Sequence, residues 1–151
     1  MHVYRLSQRI FADDLLGAGA RLHGGRWNHK GIPCIYTGTS RALCICEYAA
    51  NVSLDNLPND LAMVTFEIPE HSVLNLEINQ LPKNWREDPS PFENKKLGSK
   101  ILIKNEFLII RIPSTIVPQE YNYILNPVHK NFEKVKIVDI MNFNFDIRIK
   151  S

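Results

Sequence analysis

Apolar positions along this chain fall in short runs separated by polar or proline-bearing segments, not in long helical stripes. Val3 to Leu6 reads as an opening strand, and Cys34 to Thr37, β-prone and bounded by Pro33 and Gly38, reads as a second. Ala62 to Ile68 and Val73 to Ile78, parted by Pro69, predict two more, and the apolar run Phe107 to Ile112 is short enough for a buried strand. Val135 to Ile140 and Phe143 to Ile149 complete the set. Two segments carry helical signals. Ser40 is a suitable N-cap for a helix over Arg41 to Asn51, and Phe92 to Ile103 predicts a second helix carrying Gly98. The Gly-rich stretch 17–31 reads as a loop and the Asn/Pro-rich stretch Leu81 to Pro91 as a surface crossing. Strands outnumber helices, so the pattern predicts a mixed α/β or α+β fold in one domain spanning residues 1–151.

Composition narrows the class. With 44% hydrophobic and 23% charged residues, the chain has enough apolar surface for a real core. Eighteen Lys+Arg against 16 Asp+Glu leave a formal charge of +2, which argues against nucleic-acid binding through a broad basic field. No apolar run approaches the roughly 20 residues of a membrane span, and MHVYRLSQRI lacks the pattern of a secretory signal. Three cysteines, Cys34, Cys44 and Cys46, fit reduced thiols better than a disulfide framework. The expected compartment is the cytoplasm.

Six of the seven glycines lie within residues 17–38, so close backbone approaches are concentrated there. Known glycine motifs do not explain them. Gly17-Ala18-Gly19 begins like a dinucleotide fingerprint, but Leu22 occupies the third glycine position; no Gly-Lys-Ser/Thr follows to make a P-loop. His23, His29 and Cys34 match no zinc-ligand spacing, so no metal is expected. The segment Gly24-Gly25-Arg26-Trp27-Asn28 is more informative. Two glycines allow a ligand close to main chain, and the arginine after them offers a planar fork suited to phosphate. Tyr36 lies in the next predicted strand, and Glu47 is a lone carboxylate in the otherwise apolar helix segment LCICEYAA. Later in the chain, Pro113-Ser114 and Asn126-Pro127 read as turns.

Taken in order, GGRWN, the strand tyrosine, the helix glutamate, IPS and the run Asn122-x-x-Leu125-Asn126-Pro127-x-His129 resemble the RES domain family, from Tyr4-Arg5 to Asp146-x-Arg148. That family supplies the toxins of bacterial Xre–RES toxin–antitoxin modules. One departure is His29-Lys30 where relatives often carry proline. The resemblance implies an ADP-ribosyltransferase-like fold, a single α+β domain with central mixed or antiparallel strands flanked by a few helices. It also implies consumption of NAD+ at the nicotinamide–ribose bond by phosphorolysis or hydrolysis, or alternatively mono-ADP-ribosylation of a cellular protein. Arg26, Tyr36, Glu47 and Ser114 match the family's catalytic residues. Arg5, Gly25, Arg26, Trp27, Tyr36 and Asn126 are the corresponding candidates for contacting NAD+, with Arg5 expected beside Arg26. In these roles Arg26 holds the pyrophosphate, Tyr36 stacks on nicotinamide or ribose, and Glu47 stabilises the ribosyl cation. Ser114 either orients Glu47 or contacts NAD+. The implied partner is an Xre-type helix-turn-helix antitoxin that carries the DNA binding, and self-association as a homodimer fits the family.

Overall fold

A seven-stranded mixed sheet organises the molecule, in the order β4-β5-β6-β2-β1-β3-β7. The computed structural model describes residues 1–149; the expected domain span runs on over residues 150 and 151, which lie outside the described residues. The strands are β1 (His2–Gln8), β2 (Ile35–Gly38), β3 (Leu61–Glu67), β4 (Val73–Asn75), β5 (Ile109–Pro113), β6 (Tyr121–Leu125) and β7 (Lys136–Phe143). Neighbours are antiparallel except β4 and β5, which run parallel. Three α-helices join them: α1 (Ala18–His23), α2 (Arg41–Asn51) and α3 (Phe92–Lys104). The expected α+β class is what the chain adopts. Among the described residues, no helix is long and apolar enough to cross a membrane.

Register fixes which residues share a face, because directly paired residues point the same way and successive ones alternate. Tyr4 pairs with Gly38, Tyr36 with Ile124, and both Gly38 and Ile112 with Asn122. Tyr4, Tyr36, Asn122 and Ile112 therefore line one face. Two apolar clusters cover it: Trp27, Trp85, Leu102, Ile110, Ile112 and Ile124 on the α3 side, and Leu6, Cys44, Leu61 and Met63 on the α2 side. The other face buries Val3, Ile35, Val64, Phe66, Leu125 and Val135 in a third cluster.

Several expected elements differ from those observed. Helix α2 occupies the expected residues, with Ser40 Oγ accepting from the Leu43 amide at 3.0 Å. The Gly-rich stretch is not all loop: α1 forms within it, and Asp14 Oδ2 accepts from the amide of its first residue, Ala18, at 3.0 Å. Strand β6 lies where the sequence predicts none. Phe143 to Ile149 does not form its own strand: β7 ends at Phe143, and Asp146 then draws in both the amide and the guanidinium of Arg148. The crossing before α3 is only partly on the surface, since Leu81 and Trp85 are buried.

Gly98 is where α3 meets the loop of Trp27: a Cβ at residue 98 would overlap the Trp27 carbonyl, which is backbone and cannot swing away. Gly98→Ala is expected to lower unfolding stability by about 2 kcal/mol or more in urea titrations. Gly19→Ala, on exposed α1 with nothing near its added methyl, should be neutral or stabilising by about 0.5–1 kcal/mol. Equal stability of the two variants would contradict this packing.

Candidate active site

Glu47 sits on α2 with its carboxylate held from two strands. Ser114 Oγ, just after β5, donates to Oε1 at 2.7 Å, and Asn122 Nδ2, on β6, donates to Oε2 at 3.0 Å. Ser114 is fully buried and its Oγ also accepts from the amides of Ile116 and Val117, at 3.1 and 3.2 Å. Every lone pair and proton of that hydroxyl is thus committed to shaping the turn and aiming at Glu47. Of the two roles open to Ser114, orienting Glu47 is the one its bonds show. Burial pushes the Glu47 carboxyl above the usual glutamate range; the Ser114 and Asn122 hydrogen bonds and the positive charge of Arg26 oppose the shift.

Arg26 reaches this region from the GGRWN loop, a tight reversal closed by a bridge between Gly25 and Asn28. Gly24 has φ +72°, a conformation that suits glycine. A Cβ on Gly25 would lie 2.7 Å from the Tyr36 hydroxyl, so only glycine lets the tyrosine meet the loop. That hydroxyl donates to Asn28 Oδ1 at 2.6 Å and accepts from the Trp27 amide at 3.0 Å. Asn28 is fully buried, its Nδ2 donating to the carbonyls of Ala20 and Ile32 at 2.8 and 2.9 Å. From α3, the Lys95 ammonium donates to the Gly25 carbonyl. The loop is therefore fixed from three sides before any ligand arrives.

Nη1 of Arg26 donates to the carbonyls of Trp85 and Glu87, at 3.0 and 2.8 Å. Among the described residues these are the only hydrogen bonds of its guanidinium, which leaves Nη2 and Nε for a ligand. Burial lowers the Arg26 pKa from the ordinary arginine value, while Asp88, Tyr36 and Glu47 raise it again. Arg26, Tyr36 and Glu47 thus lie within electrostatic reach of one another. A rigid cation, an aromatic ring and a partly desolvated carboxylate together suit an anionic ligand on which positive charge develops during reaction.

The structure brings together Gly25, Arg26, Tyr36, Glu47 and Ser114. Trp27 stands apart in function: its side chain is buried in the core and only its amide serves the site. Arg5 does not sit beside Arg26. It pairs with Val64, one position out of phase with Tyr4, and so projects from the opposite face. Its guanidinium donates to the carbonyls of Phe11, Ala12 and Asp14 and lies 5.1 Å from the Phe66 ring centroid. Asn126 is at the far end of β6 from Asn122, about 13 Å along the strand. There it is buried, tying the Leu102 carbonyl and Asn105 to the Val128 turn. Sequence reasoning missed Asn122, Asn28 and Lys95; for the two asparagines the available signal was their place within the GGRWN and N-x-x-L-N-P motifs. Among the described residues no group of three or more His, Cys, Asp or Glu could hold a metal ion.

The model of the RES domain matches residues 2–146 of this chain. The chain belongs to the RES domain family. A protein named Toxin Res from Yersinia enterocolitica is 35% identical over 152 residues, covering 99% of this chain and 100% of that protein. The Prs ADP-ribosylating toxin of Sphingobium sp. (strain YBL2) is 32% identical over 141 residues, covering 91% of this chain and 88% of that protein. The crystal structure of the M. tuberculosis MbcT–MbcA toxin–antitoxin complex superposes with a TM-score of 0.75 at 18% identity, covering 94% of this chain and 83% of that one. At that identity the likeness speaks for a shared fold.

The raised Glu47 pKa has a stability consequence. The contribution of a neutral, buried Glu47 is fully present below the ordinary glutamate pKa of about 4.3 and is lost as pH rises through the higher folded value. The fold of this RES protein therefore disfavours the ionised form of that carboxylate. Glu47→Gln keeps an acceptor for Ser114, and the Asn122 amide can turn over to accept from the new NH2. Its melting temperature at pH 7 is expected to match or exceed wild type by about 2–4 °C, with the gap closing toward pH 4. A clearly lower value at pH 7 would contradict the reading.

Proposed function

We propose that this chain is the toxin of a bacterial toxin–antitoxin module and acts by cleaving NAD+ at the nicotinamide–ribose bond. The observation that carries the reading is the Glu47 carboxylate, fixed by Ser114 and Asn122 within electrostatic reach of Arg26. Arg26 offers its free guanidinium edge to the pyrophosphate, and the Tyr36 ring forms a wall for nicotinamide or ribose. The C1′–N1 bond then breaks, and nicotinamide departs with the bonding electron pair as a neutral leaving group. The ribosyl carbon becomes oxocarbenium-like, and Glu47, ionised, stabilises charge that exists only near the transition state. Phosphate or water then supplies an oxygen to C1′. Ser114 holds the carboxylate and does not attack, since its hydroxyl proton is engaged by Glu47 and its oxygen accepts from the Ile116 and Val117 amides. An antitoxin of helix-turn-helix type is the proposed partner, in keeping with the neighbour that is a toxin–antitoxin complex. The name of the Sphingobium relative favours a second reading, in which the acceptor of ADP-ribose is a protein side chain.

Purified protein incubated with NAD+, with and without phosphate, is expected to release nicotinamide. Arg26→Ala and Glu47→Gln should each reduce the rate by about a hundredfold or more. No release by wild type, or release at the wild-type rate by either variant, would overturn the reading. Free ADP-ribose products support degradation of NAD+, whereas a discrete labelled protein band from lysate and labelled NAD+ supports the second reading.

Release should also fall as pH drops through the raised Glu47 pKa, because only the carboxylate stabilises the cation. Asn122→Ala removes a donor that favours the charged form, so the acid limb of its pH–rate profile should move to higher pH. A limb that stays in place would contradict the role assigned to Asn122.

A further inference from the structure

One cation beside the Glu47 cluster is held in place without being neutralised. Arg86 lies on the segment Trp85–Glu87, between the two residues whose carbonyls hold Nη1 of Arg26. Its side chain reaches to the other wall of the site, where Nε donates to the Thr115 carbonyl at 3.0 Å. Thr115 directly follows Ser114, whose hydroxyl is on Glu47. Arg86 thus links the Arg26 side of the site to the Ser114 side. It is exposed, and among the described residues the Thr115 carbonyl is its only side-chain partner. No carboxylate forms a salt bridge with it among those residues. A carbonyl positions a guanidinium without cancelling its charge, so the Nη1/Nη2 edge keeps two aligned donors available.

The segment Trp85–Glu87 thus carries Arg86 and holds Arg26, setting two guanidinium groups at one wall of the site. Asp88 acts electrostatically on Arg26, yet it makes no ion pair with Arg86. The forked edge of arginine matches phosphate oxygens in spacing and direction. We propose that Arg86 is a second anion-binding residue of this site, receiving a phosphate oxygen beside the Glu47–Ser114 pair. This rests on the NAD+ reading above. Two sources supply the same chemistry: the pyrophosphate of the dinucleotide, or inorganic phosphate acting as acceptor.

The test is steady-state nicotinamide release, with NAD+ and phosphate varied separately, for wild type, Arg86→Ala, Arg86→Lys and a control, Lys136→Ala, on the exposed edge strand β7. Arg86→Ala is expected to raise one KM by roughly ten- to hundredfold while kcat changes little, with Arg86→Lys intermediate and the control unchanged. A raised KM for NAD+ assigns the pyrophosphate, and a raised KM for phosphate assigns the acceptor. Both KM values at wild-type level overturn the proposal, as does a lower kcat with a displaced pH limb and unchanged KM values, which would make Arg86 only a brace for the Ser114 turn. Calorimetric binding of inorganic pyrophosphate and of phosphate to wild type and Arg86→Ala keeps the two readings separate. If wild type releases no nicotinamide, the activity fails, but tighter anion binding by wild type than by Arg86→Ala still upholds the anion site. Equal or absent binding in both would overturn it.

Discussion

The carboxylate of Glu47 is the group around which the rest of the molecule is arranged. In the proposed reaction it needs to be charged to stabilise a ribosyl cation, and it needs to be partly out of water for that charge to count. Those two requirements oppose each other, because burial favours the neutral acid. Ser114, just after β5, and Asn122, on β6, oppose the effect of burial, and Arg26 adds a positive charge from a loop near the N-terminus. The three supports come from widely separated parts of the chain. Only the sheet order, which sets β6 between β5 and β2, brings them to one place.

Two of the six glycines in residues 17–38, Gly24 and Gly25, follow from the same constraint. Arg26 serves the site only if its loop is rigid, and rigidity comes from Tyr36 pressing its hydroxyl into the reversal between Gly25 and Asn28. Glycine at 25 makes room for that hydroxyl. Tyr36 thereby fastens the cation's loop as well as forming the proposed wall for the ligand. A similar economy holds at Ser114, where one hydroxyl shapes the turn and aims the carboxylate.

Helix α2 was legible because its signals are local: a serine cap, a run of good helix formers and no proline. The buried strands β3 and β5 were legible for the same kind of reason, as short apolar runs. Strand β6 was not, since Tyr121-Asn122-Tyr123 lies between Pro118 and Asn126-Pro127 and carries turn-like residues on both sides. What makes it a strand is pairing with β2 and β5, which is non-local. Missing β6 concealed Asn122 as well. The motif order identified Arg26, Tyr36, Glu47 and Ser114 as a group, but it also drew in Arg5 and Asn126. Alternation along β1 separates Arg5 from the group, and distance along β6 separates Asn126; both depend on register, which residue spacing does not reveal.

The central claim is that NAD+ binds on the sheet face that carries Tyr36 and Asn122. An NMR titration of the Glu47→Gln variant with NAD+ addresses it without turnover. The account predicts chemical-shift changes at the amides of Gly25, Arg26, Tyr36, Ser114 and Asn122, with the Arg5 and Phe66 face quiet. Changes centred on Arg5 and the Phe11–Asp14 loop, or no saturable change at all, would contradict it.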